Sequence, residues 1–161
     1  DSSTSRGLGD VYKRQIIAGV IAKFVLNLIL FRKAAVADEE LAGKPIVQTA
    51  LDFFRTPVTR RETIGTELHL HVERPLVCFN TAKMVKELDS IPEGTTAVFV
   101  HLERSVGLID HTSFENIHHA IRDLGHRDIP ITLVGLERMR SLSEYHAATH
   151  VNAPTLALQP A

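Results

Sequence analysis

A long apolar run near the start of the chain limits the folds open to this sequence more than any other feature. Fourteen of the sixteen residues at positions 16–31, IIAGVIAKFVLNLILF, are apolar or glycine. A helix that crosses a membrane needs about 20 such residues. The run therefore predicts a transmembrane helix whose N-terminal part is missing from this chain. A secretory signal sequence and the buried helix of a soluble protein are the alternatives.

Polar residues within and after this run indicate how the predicted helix is placed. Lys23 and Asn27 are four residues apart and therefore share one face of a helix. We expect that face to contact protein or water rather than lipid. Arg32 and Lys33 follow the run directly. Because basic residues favour the cytoplasmic side of a membrane, we place the end of the transmembrane helix at residues 16–33 and the rest of the chain in the cytoplasm.

The segment before the run has no helical or strand period. Residues 1–15, DSSTSRGLGDVYKRQ, are rich in serine, glycine and charges. The string GLGDVYKRQ resembles translated adapter sequence of the kind that contaminates assembled sequencing reads. We therefore expect residues 1–15 to be a non-native tail, with a natural flexible N-terminus as the alternative.

Residues 34–58 are predicted to be a linker. They contain an acidic patch followed by Gly43 and Pro45, and Pro57 comes near the end. Between the prolines lies an apolar set with helical spacing: Ile46, Val47, Ala50, Leu51 and Phe54. This spacing predicts a short amphipathic helix that lies either under a membrane or against the next domain.

Residues 59–161 alternate between apolar runs and helical patterns. Strands are predicted at residues 67–72, 96–102 and 129–134. Helices are predicted to begin at Asn80 or Thr81 and near Thr112, the latter with an end around Gly125, and a third helix is predicted to begin with Glu137–Leu142. Strands that alternate with helices predict an α/β domain with a mixed, at least partly parallel sheet that helices cover.

Composition excludes several classes of protein. The chain has 18 basic and 19 acidic residues, so its net charge of -1 excludes a strongly basic nucleic-acid binder. An apolar content of 44% excludes a solvated disordered chain. Cys78 is the one cysteine, which excludes a disulfide framework and a cysteine-based zinc site. We expect Cys78, which lies in an apolar run, to be a small core residue.

The nine histidines raise the question of metal binding. His111, Glu115 and His118 lie roughly on one face of a predicted helix, but the H-E-x-x-H pattern is absent. His69 and His71 share one face of a predicted strand. We interpret all of them as surface or packing residues, with a metal site or a pH response as the alternative. No nucleophile elbow or phosphate loop occurs. The sequence therefore predicts no catalytic residue, no metal and no cofactor, and a metal-dependent enzyme is the less favoured hypothesis.

The turn between a predicted strand and the helix after it has the clearest chemical character. Thr112 and Glu115 have the spacing of a capping box, so Thr112 is predicted to cap the helix. The free N–H groups of a helix N-terminus also suit anions, including the phosphate of a phosphothreonine. Asp110, Thr112 and Ser113 are therefore the candidate site, as a helix-capping turn first and a phosphorylation site second.

This turn resembles the signature turn of STAS domains, the fold of sulfate transporters and anti-sigma-factor antagonists. The resemblance rests on Asp110-His111-Thr112 and the preceding Leu108-Ile109. It extends to GTELHLHVERPLVCFNTAKMVKEL before the turn and to IPITLVGLERMR after it. The apolar run IIAGVIAKFVLNLIL resembles the last membrane helix of SulP-type inorganic anion transporters, which carry a C-terminal STAS domain. The resemblance covers about residues 16–150 and implies a STAS-like fold after a partial transmembrane helix.

The resemblance also assigns roles within the turn. In the antagonist branch of the family, the position that matches Thr112 is phosphorylated, and Asp110 matches the acidic residue before it. His111 departs from the usual serine and Ser113 departs from the usual glycine. These departures weaken the prediction that an anti-sigma kinase phosphorylates Thr112.

We therefore expect a cytoplasmic STAS domain that regulates or assembles a multi-pass inner- or plasma-membrane transporter of sulfate- or bicarbonate-type anions. The fragment itself would not transport. The implied partners are the rest of the transporter's membrane domain, a second copy of the parent protein and a regulatory protein. The alternative is a soluble, antagonist-like signalling switch that phosphorylation at Thr112 controls, although such a switch has no need of the apolar run at residues 16–31.

Overall fold

The computed structural model describes residues 2–36 and 39–153. It begins with helices α1 (Ser2–Val36), α2 (Glu39–Ala42) and α3 (Ile46–Asp52). The strands are β1 (Val58–Ile64), β2 (Glu67–Val72), β3 (Ala97–Leu102), β4 (Leu108–Ile109), β5 (Ile131–Val134), β6 (Met139–Ser141) and β7 (His150–Asn152). Helix α4 (Thr81–Asp89) follows β2, and helix α5 (His111–Gly125) follows β4. Positions 154–161 of the predicted domain lie outside the described residues.

The main sheet is mixed and has the order β1-β2-β3-β5. Strand β1 runs antiparallel to β2, whereas β2 and β3, and β3 and β5, are parallel. Parallel neighbours need a crossover connection, which α4 supplies for the first parallel pair and α5 for the second. The predicted α/β class, with a STAS-like mixed sheet covered by helices and preceded by an apolar helix, is confirmed.

The main core lies between this sheet and the two crossover helices. The inward face of β2 and β3 presents Leu68, Leu70, Val72, Val98, Val100 and Leu102, all buried. Met84 and Leu88 of α4 and Phe114, Ile117 and Leu124 of α5 pack on that face. These residues recur with helical spacing, because a helix that packs on a sheet turns one apolar stripe inward. The opposite face of the sheet carries the histidines described below.

Strand β1 was not predicted from the sequence. Its residues, VTRRETI, are mostly charged or polar, and only Val58 is buried. It forms an edge of the sheet and joins β2 through a tight turn at Gly65, which has a φ of +62°. An edge strand that packs on one side only needs no apolar period, so the pattern that identifies β2 and β3 is missing here.

The helix predicted at Glu137–Leu142 is wrong. A short 3₁₀ turn, Leu136–Arg138, leads into β6, and β6, β7 and β4 form a second, antiparallel sheet in the order β4-β7-β6. The segment ERMRSL has no apolar stripe with helical spacing to bury. The pairing of Met139 with Asn152 on β7 instead satisfies its backbone.

Helix α1 is longer than the apolar run. It includes residues 2–15, for which the sequence showed no regular period. Once a helix has formed, each further residue adds a hydrogen bond at little cost, so the apolar helix extends into the polar segment before it. By length and composition, the part from Val11 to Val36 is long and apolar enough to cross a membrane.

The C-terminal half of α1 packs against the α/β domain. Phe31, Ala34 and Ala35 of α1 are buried in a second apolar cluster with Leu41, Phe53, Val77, Leu108 and Val151. Gly107 lies directly beneath this contact with a φ of +63°, and a Cβ atom there would collide with the side chains of Leu41 and Phe31. Only glycine allows both the turn and the close approach of the helix.

The short amphipathic helix predicted in the linker is α3, and its orientation is unusual. Its polar residues Thr49 and Asp52 are buried against the protein, whereas Ile46, Val47 and Leu51 are exposed. Asp52 is held by Lys44 at 3.1 Å. Helix α3 therefore lies against the next domain, which is one of the two predicted alternatives, but it does so through its polar face. The alternative that the apolar face lies under a membrane stays a prediction.

Candidate functional site

Asp110 is the N-cap of α5 and the centre of the candidate site. The buried strand β4 ends at Ile109, and Asp110 follows with extended backbone angles, φ −77° and ψ 160°. Its Oδ1 accepts a hydrogen bond from the backbone N–H of Ser113 at 2.9 Å. This bond satisfies one of the free donors of the first helical turn.

The prediction that Thr112 caps the helix is therefore wrong. Thr112 already lies within the first turn of α5, and its side chain is exposed. The carboxylate of Glu115 lies beside the side chain of His111, with its Oε2 3.7 Å from His111 Nε2. The capping-box spacing was real, but the same three-residue spacing also relates Asp110 to Ser113. Aspartate is at least as good a cap as threonine, so the earlier residue occupies the position.

The second carboxylate oxygen of Asp110 is in contact with three donor groups. Its Oδ2 accepts hydrogen bonds from the backbone N–H of Cys78 at 3.0 Å and from Asn27 Nδ2 at 3.0 Å. Lys23 Nζ lies 3.3 Å from the same oxygen. Asp110 and Asn27 are fully buried, whereas the Lys23 side chain is partly exposed. The polar stripe of α1 thus faces protein, as predicted, and its partner is the turn before α5.

The electrostatics of this site favour the carboxylate. Burial by itself raises the pKa of Asp110, but the backbone N–H groups of Ser113 and Cys78, the charge of Lys23 and the amide of Asn27 together hold its pKa below the ordinary value. The neighbouring Cys78 thiol is half-buried rather than fully in the core. Its pKa is raised, first by burial and then by the negative charge of Asp110. The site therefore holds one buried carboxylate beside a thiol whose pKa is raised.

The three predicted site residues have different environments. Asp110 and Ser113 are buried and bonded to each other, whereas Thr112 is at the surface. The hydroxyl of Thr81 on α4 donates to the carbonyl of Val77 at 2.9 Å and also contacts the Ser113 hydroxyl. Because Thr81 has a single proton, Ser113 is the donor in that contact. The hydroxyl of Ser113 therefore links α5 to α4. Of the two hydroxyl residues in the turn, Thr112 is the one exposed to solvent and accessible to a modifying enzyme.

The histidines do not form a metal centre as they stand. Among residues 2–36 and 39–153, no group of three His, Cys, Asp or Glu side chains has the geometry to hold a metal ion. On α5, His111 Nδ1 lies 2.7 Å from the carbonyl oxygen of Ala147, and the His118 ring packs edge-on against Phe114. His69 and His71 are less solvated than expected, with 16% and 12% of their side chains exposed.

Two features of the molecule were missed by the sequence reasoning. The partner of Lys23 and Asn27 is 83 residues from Asn27, and no local spacing relates the two segments. His101 stacks between His69 and His71, which follows from the parallel register of β2 and β3 that pairs His71 with His101. The sequence carried one indication of this histidine cluster, because two predicted strands, at residues 67–72 and 96–102, both contain histidine.

The comparisons with known proteins leave the function open. No family model matches the chain, and no curated protein matches it. A solved structure described as "Crystal Structure Analysis of Mglu" is similar at a TM-score of 0.47 and 21% sequence identity. The similarity covers 51% of this chain and 20% of that chain, so the matched region spans about a fifth of the other protein.

Proposed function

We propose that this chain is the C-terminal part of a membrane transporter for inorganic anions of the sulfate or bicarbonate type. In this proposal, α1 is the end of the last membrane helix, and the domain from β1 onward is a cytoplasmic STAS domain that regulates or assembles the transporter. The observation that carries the proposal is the bonding of Lys23 and Asn27 of α1 to Asp110, the acidic residue of the turn that resembles the STAS signature.

The N-terminal half of α1 supports a place in the membrane. Ile16, Ile17, Val20 and Ile21 are each at least half exposed, beyond the reach of the α/β domain. Each apolar side chain of this size gains about 1.5–3 kcal/mol when it leaves water. A helix with so many exposed apolar residues is stabilised by lipid or by neighbouring membrane helices.

The packing of α1 indicates where the membrane would end. From Phe24 onward one side of α1 lies against the α/β domain, with Asn27 and Phe31 fully buried there. A water-soluble domain stays outside the hydrocarbon core, so we place the membrane boundary near Lys23 rather than at Arg32. Residues 16–22, which lie between the predicted non-native tail and this boundary, then provide about 10 Å of helix, and the parent protein would supply the remainder of the ~30 Å span.

The contact at Asp110 suggests how the domain could regulate transport. A rigid helix joins the membrane region to the first turn of α5, and the joint consists of an ion pair and a buried hydrogen bond at one carboxylate. A shift or rotation of the membrane helix would therefore change the contacts of Asp110. Through such a contact a domain can bias the conformation of a membrane protein.

Insertion of α1 is tested with a pair of matched substitutions. Ile17→Asp places a charge in the proposed membrane segment, at a cost of about 2.5–3.5 kcal/mol near a helix centre. Ile64→Asp places the same charge on an exposed residue of β1, outside the proposed membrane segment. Both substitutions are made in a chain whose helix α1 is completed by the upstream residues of the parent. We expect carbonate-washed membranes to keep the unsubstituted chain and the Ile64 variant and to lose much of the Ile17 variant. Equal retention of all three, or a fully soluble unsubstituted chain, would overturn the membrane assignment.

The transport role is tested in the parent protein. Uptake of labelled sulfate and of labelled bicarbonate is compared for the intact parent and for a parent that ends after residue 58. We expect the truncated parent to reach the membrane but to show altered uptake or a changed oligomeric state. A parent that takes up neither anion contradicts the proposed substrate class.

One observation favours the phosphorylation-controlled switch as a second candidate function. Thr112 is exposed in the first turn of α5, where the positive end of the helix dipole favours a phosphate. In that case Thr112→Ala and Thr112→Asp should change partner binding or uptake in opposite directions. If the two variants behave alike, Thr112 is a surface residue of the helix and no more.

A further inference from the structure

The open face of the main sheet carries a continuous row of four stacked rings. The rings of His71 and His101 lie 4.5 Å apart at 9° to one another, those of His101 and His69 lie 5.2 Å apart at 20°, and those of His69 and Phe99 lie 4.9 Å apart at 10°. Three consecutive members of the row are titratable. His69 and His71, which take part in these ring contacts, have low side-chain exposure.

Hydrogen bonds tie the row together. His69 Nδ1 lies 2.9 Å from His101 Nε2, so one of these nitrogens donates and the other accepts. This bond forms only while at least one of the two nitrogens lacks a proton. At the far end, His71 Nδ1 lies 3.1 Å from Glu103 Oε1. His69 Nε2 is buried and makes no hydrogen bond, although Glu67 Oε2 is 3.6 Å away.

Charged groups of both signs flank the two outer histidines of the row. Glu67 faces His69 and Glu103 faces His71, so each outer ring has a carboxylate partner for a proton. The guanidinium of Arg60 on β1 lies 3.1 Å from His71, and Glu62 pairs with Arg60 at 3.2 Å. Strand β5, on the other side of β3, pairs its uncharged Val134 with His101.

We propose that His69, His71 and His101 form a proton-sensitive switch, in which the stacked row is stable when its centre is neutral and separates when falling pH charges all three rings. The full charge breaks the bond between His69 and His101 and places like charges on stacked rings. The rings then turn toward solvent and leave the face of Phe99 uncovered. In the proposed transporter the row would report cytoplasmic pH to the domain; that use rests on the proposed function, whereas the switch itself does not.

The electrostatics of the central ring agree with this geometry. Burial lowers the pKa of His101, and the neighbouring His71 and His69 lower it further. Glu103 acts in the opposite direction but does not reverse the shift. The central imidazole therefore accepts a proton at a lower pH than an ordinary histidine does.

The switch is tested by NMR on the full chain in nanodiscs with a chelator present, so that no metal ion can replace a proton. Imidazole resonances are followed from about pH 8 to about pH 5, the range in which histidine changes charge. His126, exposed at the end of α5, is the internal control. We expect His101 to titrate at a lower pH than His126, and its midpoint to rise in His71→Gln. A His101 midpoint at or above that of His126 overturns the proposal.

A second measurement detects the opening itself and does not depend on whether a variant alters the titration. Amide hydrogen exchange across β3 should accelerate between about pH 7 and about pH 5, after correction for the intrinsic pH dependence of exchange. His101→Phe keeps a ring in the stack but removes the central charge, so the acceleration should be lost. Equal acceleration in both proteins, or none in the unsubstituted chain, overturns the proposal. If the Phe variant does not fold, the unsubstituted chain decides alone, by its exchange and by the titration order of His101 and His126.

Discussion

Replacement of Asp110 separates the two roles of its carboxylate, which caps α5 and binds α1. In Asp110→Ala, the helix loses its cap, at a cost of about 0.5–2 kcal/mol. The buried donors on Asn27 and Cys78 are also left without an acceptor, which costs roughly 1–3 kcal/mol each. These free-energy contributions are not additive, because the donors on Asn27, Cys78 and Ser113 all bond to the one carboxylate of Asp110. We expect a total loss of about 2–5 kcal/mol in the free energy of unfolding.

Asp110→Ser isolates the contact with α1. Serine retains an oxygen that can cap the helix but lacks the second oxygen that binds Asn27, Lys23 and Cys78. It should therefore be more stable than the alanine variant by the value of the cap, about 0.5–2 kcal/mol, while still less stable than the native protein. Thr112→Ala is the matched control, since an exposed substitution outside the cap should stay within about 0.5 kcal/mol.

Denaturant unfolding of the full chain in mild detergent, followed by circular dichroism, measures these differences. Hydrogen exchange at residues 108–125 locates them. Both Asp110 variants should open the first turn of α5, and the alanine variant should open it further. If Thr112→Ala destabilises the protein as much as Asp110→Ala, the cap is misassigned and the reasoning is refuted.

Further expectations concern the same region. Gly107→Ala should lower the melting temperature by more than Gly94→Ala. Both glycines have a positive φ, but of the two only Gly107 lies where a Cβ atom would collide with α1 and α2. Equal losses of melting temperature would show that backbone strain alone matters. Cys78 should react slowly with iodoacetamide at neutral pH because its pKa is raised, and Asp110→Ser should speed the reaction; an unchanged rate would remove Asp110 as a cause. The pKa of Asp110 is lowered on folding, so its stabilisation is complete above the ordinary carboxyl pKa of about 3.9 and is lost as the pH falls through the lower folded value. Acid unfolding of Asp110→Ser should lack this part of the pH dependence, and identical acid profiles would contradict the assignment.

The parts of the fold that sequence reasoning predicted are those with a one-sided apolar period. Strand β2 matches its predicted bounds, and α5 ends at Gly125 as expected. In both elements one face is buried in the core. The apolar residues of that face therefore recur at the period of a strand or of a helix, and this period can be recognised in the sequence. Strand β1 and the segment at Glu137 carry no such spacing, because their partners are other backbones at a sheet edge.

The candidate site was predicted in outline and missed in its contacts. The turn at Asp110 was identified from residue types that favour helix N-termini, but those types do not specify which of several neighbouring residues becomes the cap. Backbone angles at Asp110 decide that, and strand β4 fixes them. The bond from Asn27 depends on how two distant segments pack, which no local pattern contains.

A double-mutant cycle between α1 and the turn tests most directly whether the two act as one unit. Unfolding free energies are measured in detergent for the native chain, Asn27→Ala, Asp110→Ser and the double variant. Because Asn27 Nδ2 and Asp110 Oδ2 are 3.0 Å apart and fully buried, we predict a coupling energy of about 0.5–3 kcal/mol. A cycle in which the two single effects simply add would show that α1 and the domain do not communicate through Asp110, and would contradict the account.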